Sequence, residues 1–218
     1  MISPAARTSS LPVAAVFDWD GTLADTLAAI LRAERVVMRQ LGMDLSIDRL
    51  RATYTPDWRA KYRDLGIPEE RWPEAARLWE ARMLLARPRA FPWARAALRS
   101  LRARGVRIAL VTASGRAIVE PNLARFNMTR TFEVVITADE VARPKPHPEG
   151  LRAALAHLAV DPADAVYVGD TTVDLEMARA AGVPFAPIGG TIPDSAFHAL
   201  GARPVWPSVA AWTADLLR

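Results

Sequence analysis

Asp18 and Asp20, in Asp18-Trp19-Asp20-Gly21-Thr22, place two carboxylates two residues apart directly after the apolar run 13–17. Ionised carboxylates that close repel each other and resist burial, so a pair at the end of a buried strand implies a bound cation, an acid–base task, or both. Three further polar clusters follow apolar runs: Thr112 to Arg116, Lys145 between Pro144 and Pro146, and Gly169-Asp170 with Asp174 beyond it. Carboxylates at two of these places keep both possibilities, a bound cation and a proton-transfer task, open for the clusters together.

These residues need a frame. The runs 13–17, 106–111, 134–136, 165–168 and 184–188 are apolar and partly β-branched, with helical patterns between the later ones. That is the rhythm of a parallel α/β sheet of Rossmann-like type. The first two runs are separated by about ninety residues, far more than one crossover helix needs. The spacing therefore predicts a core domain from residues 1–24 and 91–218, with an inserted α-helical cap domain over 25–90. Asp25 is expected to cap the first cap helix, which carries Leu27, Ile30, Leu31, Met38 and Leu41 on one side and stops at Gly42. The four polar clusters fall at strand ends, where open parallel sheets bind their ligands, so they are expected to share one cleft.

The 218 residues are 51% hydrophobic, enough for one sizeable core, and contain no cysteine, which excludes disulfides, thiolate catalysis and cysteine metal sites. The net charge of +4 comes from basic residues spread along the chain. In the densest stretch, Trp93, Ala97, Leu98 and Leu101 recur at helical spacing with Arg95, Arg99 and Arg102 opposite, a solvated helix face rather than a nucleic-acid patch. Of 28 basic residues only Lys61 and Lys145 are lysine. The N-terminal stretch around Arg7 runs into Asp18 and makes a poor signal peptide, and no run reaches the roughly 18 apolar residues of a membrane span. A cytoplasmic protein with no nucleic-acid or membrane partner is expected.

Taken in order, the four clusters resemble the motifs of the haloacid dehalogenase superfamily, in its phosphatase branch with a small helical cap. They are Asp18 to Thr26, Val111-Thr112 with Ala113-Ser114-Gly115-Arg116, Lys145-Pro146-His147-Pro148, and Val168-Gly169-Asp170 through Asp174. The resemblance implies that Asp18 is a nucleophile forming an aspartyl-phosphate. Asp20 would protonate the leaving oxygen and then activate water. A halide leaving group needs no proton, so Asp20 points to phosphate esters rather than carbon–halogen bonds. Crowded carboxylates facing a phosphate require a hard cation, and oxygen-only ligands suit Mg²⁺. By resemblance Asp18, the Asp20 carbonyl and Asp170 hold it, with Asp174 a further ligand or a partner behind the ligands. Thr112 and the amides of Ala113 and Ser114 would bind phosphate oxygens, with Lys145 supplying positive charge. His147 reads as a helix-entry residue.

Two departures stand out. Relatives often carry Asn-Lys after the Thr of the second motif, where this chain has Ala113-Ser114, and Trp19 replaces the commoner Phe or Leu and is expected to point into the core. In the cap, Tyr54, Trp58 and Arg59 could meet a small anion, while Trp58, Trp72 and Trp79 are expected to pack the cap's own core. The expected partner is a small phosphorylated metabolite. Phosphoglycolate heads the candidates, ahead of pyrophosphate, sugar phosphates and nucleotides. A phosphoglucomutase-like activity is disfavoured because Thr26 is followed by Leu-Ala-Ala where such mutases usually carry a His. A binding module without turnover would have lost one of Asp18, Asp20, Lys145 or Asp170, and all four are present.

Overall fold

The computed structural model describes residues 11–218, so the reading of the stretch around Arg7 lies outside the described residues. The chain runs β1 (Ala14–Phe17), β2 (Ala24–Asp25), α1 (Leu27–Gln40), α2 (Ile47–Ala52), α3 (Trp58–Asp64), α4 (Trp72–Leu85) and β3 (Arg89–Ala90). It continues with α5 (Ala94–Arg102), β4 (Arg107–Val111), α6 (Arg116–Arg125), β5 (Val134–Ile136), α7 (Glu149–Leu158) and β6 (Ala165–Gly169). It ends with α8 (Thr172–Ala181), β7 (Phe185–Pro187), α9 (Asp194–Ala199) and α10 (Val209–Leu216). No helix of the described residues is long and apolar enough to cross a membrane.

Five strands form one parallel sheet in the order β5-β4-β1-β6-β7. Apart from Arg107 at the start of β4 the strands are almost wholly apolar because both sheet faces are covered, and the two-residue period of a strand divides their side chains between two cores. Ala15, Phe17, Ile108, Leu110 and Val168 face α5 and α10, where Leu98, Leu101, Val209 and Trp212 close the layer. Ala14, Val16, Ala109, Val111 and Tyr167 face α7 and α8, against Leu151, Leu155, Met177 and Ala178. The chain leaves β1 for β4 and β5 on one side, then crosses to β6 and β7 on the other. Strand order therefore reverses beside β1, and the crevice outside the carboxyl ends of β1 and β6 is the natural ligand position.

Helices α1 to α4 lie between β2 and β3, which pair antiparallel and tie the two passages of the chain together. Leu27, Leu31, Val37, Met38, Leu50, Tyr62, Ile67 and Ala75 form a core of their own, and Trp58, Trp72 and Trp79 pack against it. A smaller cluster joins Ala29, Ile30, Ala33 and Met83 of this segment to Ile118 of α6. The expectation for Asp25 is corrected. Thr26 holds the N-cap position of α1 without a side-chain cap bond, because Asp25 is drawn into β2 opposite Arg89. Ribbon pairing overrides the local capping preference there.

Candidate active site

The backbone of β1 brings Asp18 to the carboxyl end of the sheet with its N–H still donating to the Val168 carbonyl at 2.9 Å, so the ladder reaches this residue. Trp19 turns inward, fully buried and stacked on Phe126 with ring centroids 5.6 Å apart. That inward turn exposes the next side chain, Asp20, to the cleft. Gly21 then takes φ +80°, a left-handed conformation, and a Cβ built on it would lie 2.0 Å from Asp170 Oδ2. Both facts demand glycine. Gly21→Ala is expected to cost roughly 1–3 kcal/mol from overpacking alone and to displace Asp170. Urea unfolding and the Mg²⁺ dependence of phosphate release check the two effects.

From the end of β6, Asp170 arrives fully buried. Thr22 Oγ1 donates to its Oδ1 at 3.0 Å, whereas Oδ2 is buried without a hydrogen-bond partner. Lys145 reaches in from the loop before α7. Its Nζ donates to Asp18 Oδ1 at 2.6 Å, to Asp174 Oδ1 at 2.8 Å and to the Tyr167 hydroxyl at 2.6 Å. Tyr167 in turn donates to the Val111 carbonyl at 3.0 Å. Asp174 Oδ2 accepts from the backbone N–H and Oγ1 of Thr171 at 3.1 and 2.7 Å, closing a capping box on α8. Both Asp174 oxygens are thus engaged within the protein, and its contact with Lys145 orients the ammonium toward Asp18.

Asp18, Asp170 and Asp174 each offer an oxygen within 4.8 Å of the others. Burial raises the pKa of Asp18 well above the ordinary carboxylate value; Lys145 opposes this, while Asp174, Asp170 and Asp20 add to it. Burial, with Asp174 beside it, pushes Asp170 up to about 7. Burial alone would lower Lys145, but Asp174 and Asp18 outweigh it and hold the ammonium above its ordinary value. Among carboxylates that resist ionising together, the unpartnered Asp170 oxygen suits a divalent cation, which would reverse the repulsion.

Asp20 has a different setting. Ser114 Oγ donates to its Oδ2 at 2.6 Å, and its Oδ1 is buried without a partner. Burial raises its pKa, and the Ser114 hydrogen bond only partly offsets that. A carboxyl raised in this way is better able than an ordinary one to carry a proton and give it up. Ser114 thus ties the loop after β4 to Asp20.

The other sequence candidates divide. Thr112 is buried, its Oγ1 accepting from the Ser114 N–H at 3.0 Å while its own N–H extends the ladder to Ile136. Ala113, with Tyr54, walls the small space that holds Asp18, Asp20, Lys145 and Asp174. Tyr54 comes from the turn between α2 and α3, and its hydroxyl is pushed to a higher pKa by burial and the nearby carboxylates. Arg59 is not brought to the site. Its guanidinium lies 4.5 Å over the ring of Trp58 and outside the walls of that space. His147 Nδ1 accepts from the Glu149 N–H at 3.2 Å, at the entry of α7.

Sequence reasoning missed Tyr167 and Thr22. For Tyr167 a signal existed: it is the one polar-tipped residue in the apolar run 165–168, where a buried hydroxyl needs a partner. For Thr22 nothing in the sequence links it to Asp170, 148 residues away.

Comparison with known proteins agrees with this geometry. Residues 15–188 match the family described as haloacid dehalogenase-like hydrolase. A protein of Dickeya dadantii named "Probable phosphatase IndB" is 37% identical over 185 residues, covering 81% of this chain and 80% of its own. A plasmid-borne phosphoglycolate phosphatase of Cupriavidus necator is 46% identical over 94 residues, 43% of this chain, and the match spans less than half, 41%, of that protein's length. The crystal structure of CbbY from Rhodobacter sphaeroides in complex with phosphate has a TM-score of 0.74 at 26% identity, covering 92% of this chain and 96% of that one.

Proposed function

The chain belongs to the haloacid dehalogenase-like hydrolase family and is a phosphatase, and from that premise we propose that it hydrolyses a small phosphomonoester through a phosphorylated Asp18, with Asp20 as acid and then base. The observation that carries the reading is the Asp20 carboxyl, half-buried, raised in pKa and held by Ser114 in the small space it shares with Asp18. An alkoxide leaving group needs a proton at that place.

In the first step an Asp18 carboxylate oxygen attacks phosphorus, the ester P–O bond breaks, and Asp20 gives its proton to the departing oxygen. In the second, Asp20 takes a proton from water, the water oxygen attacks phosphorus, and the P–O bond to Asp18 breaks to return the carboxylate. Lys145 aligns Asp18 through its 2.6 Å contact and places positive charge beside the transferring group. Thr112 ties the following loop in place through the Ser114 N–H, leaving Ala113 in the wall facing Asp18. Asp18, the Asp20 carbonyl and Asp170 would hold Mg²⁺, whose chemistry is to neutralise charge on the phosphoryl oxygens. Asp174 serves behind them, holding Lys145.

Residues 25–90 act as a cap over a core of 1–24 and 91–218 in this reading. Support comes from the β2–β3 ribbon at the two crossings and from the separate core of α1 to α4. Tyr54 and Pro56 are the residues of that segment that line the space of Asp18, Asp20 and Asp174. The test is phosphate release, with and without Mg²⁺, across 2-phosphoglycolate, sugar phosphates, nucleotides and pyrophosphate. The Cupriavidus relative puts 2-phosphoglycolate first in that panel. No release from any of them would overturn the reading.

Mg²⁺ should also stabilise the fold, since it relieves the repulsion among Asp18, Asp170 and Asp20. At about a hundredfold excess over its dissociation constant the gain is about 2.7 kcal/mol. A thermal melt with Mg²⁺ against one with a chelator reads this directly. In Asp170→Asn the difference between the two melts should shrink. An undiminished difference there would place the ion elsewhere.

A further inference from the structure

Beside Asp20 a cavity of about 110 Å³ opens between the helical segment and the loop after β4. Its walls include Tyr54, Trp58, Tyr62 and Trp79 together with Asp20 and Glu34. Trp58 and Tyr62 meet edge to face at 5.2 Å, and Trp58 packs on Trp72 in the same way, so these rings are braced against one another. A cavity of about 150 Å³ holds benzene, so this smaller one, open at the side of Asp20, accepts at most one small ring.

The charges in the wall are unusual for a site that would take a carboxylate. Among the described residues its lining contains no arginine and no lysine, and its two ionisable acids are Asp20 and Glu34. Lys61, one of two lysines in the chain, lies behind the wall with its Nζ 2.6 Å from Glu34 Oε1. Glu34 Oε2 is left without a hydrogen-bond partner. Lys61 is committed to Glu34 as an ion pair, and Glu34, which borders the cavity, holds an acceptor oxygen that nothing in the protein uses.

We propose that this cavity receives the leaving group of the substrate, and that the leaving group is a ring-sized body bearing a hydroxyl or amino group and no carboxylate, with Glu34, held by Lys61, accepting its hydrogen bond. The proposal rests on the phosphatase reading, since the cavity adjoins the Asp20 carboxyl that would protonate the leaving oxygen. It narrows that reading away from 2-phosphoglycolate. A glycolate would underfill the cavity and set a second carboxylate against Glu34 with no cation in the wall to meet it.

The test uses the full chain with Mg²⁺ and four probes: 4-nitrophenyl phosphate, 4-(hydroxymethyl)phenyl phosphate, 4-carboxyphenyl phosphate and 2-phosphoglycolate. The expected kcat/KM for the hydroxymethyl compound exceeds that of either carboxylate by about tenfold or more, the scale on which pocket contacts discriminate. Equal or reversed preference, with 4-nitrophenyl phosphate still cleaved, overturns the proposal and leaves the phosphatase reading standing. Release from none of the four overturns both. In Glu34→Gln the ratio of hydroxymethyl to carboxyphenyl activity is expected to fall, because the amide no longer repels a carboxylate and Lys61 is left uncompensated. The ratio is read within one preparation, so partial misfolding cancels. An unchanged ratio removes Glu34 from the proposal, and the wild-type comparison holds whether or not the variant folds.

Discussion

Asp18→Asn is expected to lower phosphate release by on the order of 10⁶-fold, the scale on which hydrolases lose turnover when the nucleophile itself is removed. The amide has the shape of the carboxylate but no charge and no nucleophilic oxygen. The fold should survive, for a physical reason visible in the site. Burial and the charges of Asp174, Asp170 and Asp20 all oppose a charge on Asp18, so a neutral group there relieves a cost that Lys145 only partly offsets. Lys145 keeps Asp174 at 2.8 Å and Tyr167 at 2.6 Å. Urea unfolding of the variant should therefore give a midpoint at or above that of the parent in the absence of Mg²⁺. Turnover within about an order of magnitude of wild type would rule Asp18 out as the nucleophile.

Asp20→Asn should cost less, about 10² to 10⁴ in rate, and the loss should depend on what is leaving. An alkyl or sugar alkoxide departs poorly without a proton, so such esters take the full loss in the first step. A nitrophenolate departs without help, so with 4-nitrophenyl phosphate the first step proceeds and the second, which needs Asp20 as base, becomes slow. The signature is a burst of nitrophenol, close to one equivalent per active site, followed by slow turnover. Loss of the same size for every ester and no burst would mean that Asp20 only positions its neighbours. Ser114→Ala offers a graded control, since it removes the 2.6 Å hydrogen bond while leaving the carboxyl in place.

Much of the frame was legible because local pattern carries it. Parallel strands buried on both faces are apolar without alternation, and the five runs so marked became β1, β4, β5, β6 and β7 to within a residue or two. The interval before the second run announced the inserted helices, and Trp58, Trp72 and Trp79 pack against their core as expected. Trp19 pointed inward as expected because the residue between Asp18 and Asp20 at a strand end faces the opposite side from both. Capping preference failed at Asp25, where two residues of ribbon pairing with Arg89 and Ala90 decided the conformation. Capping is a preference of the isolated segment, and a long-range partner outweighs it.

By itself the sequence determined which residue types stand at which strand ends: two carboxylates after β1, hydroxyls after β4, a lysine before α7 and carboxylates after β6. Only the tertiary structure decided which of them touch. The reversal of strand order beside β1 sets Lys145 against Asp18 across 127 residues and Thr22 against Asp170 across 148. The turn between α2 and α3 sends Tyr54 into the cleft while Arg59 stacks outside it on Trp58, and the second lysine pairs with Glu34 behind the cavity wall. Periodicity records that one face of a segment is buried. It does not record against what, because that depends on how distant segments pack to bury their apolar faces together.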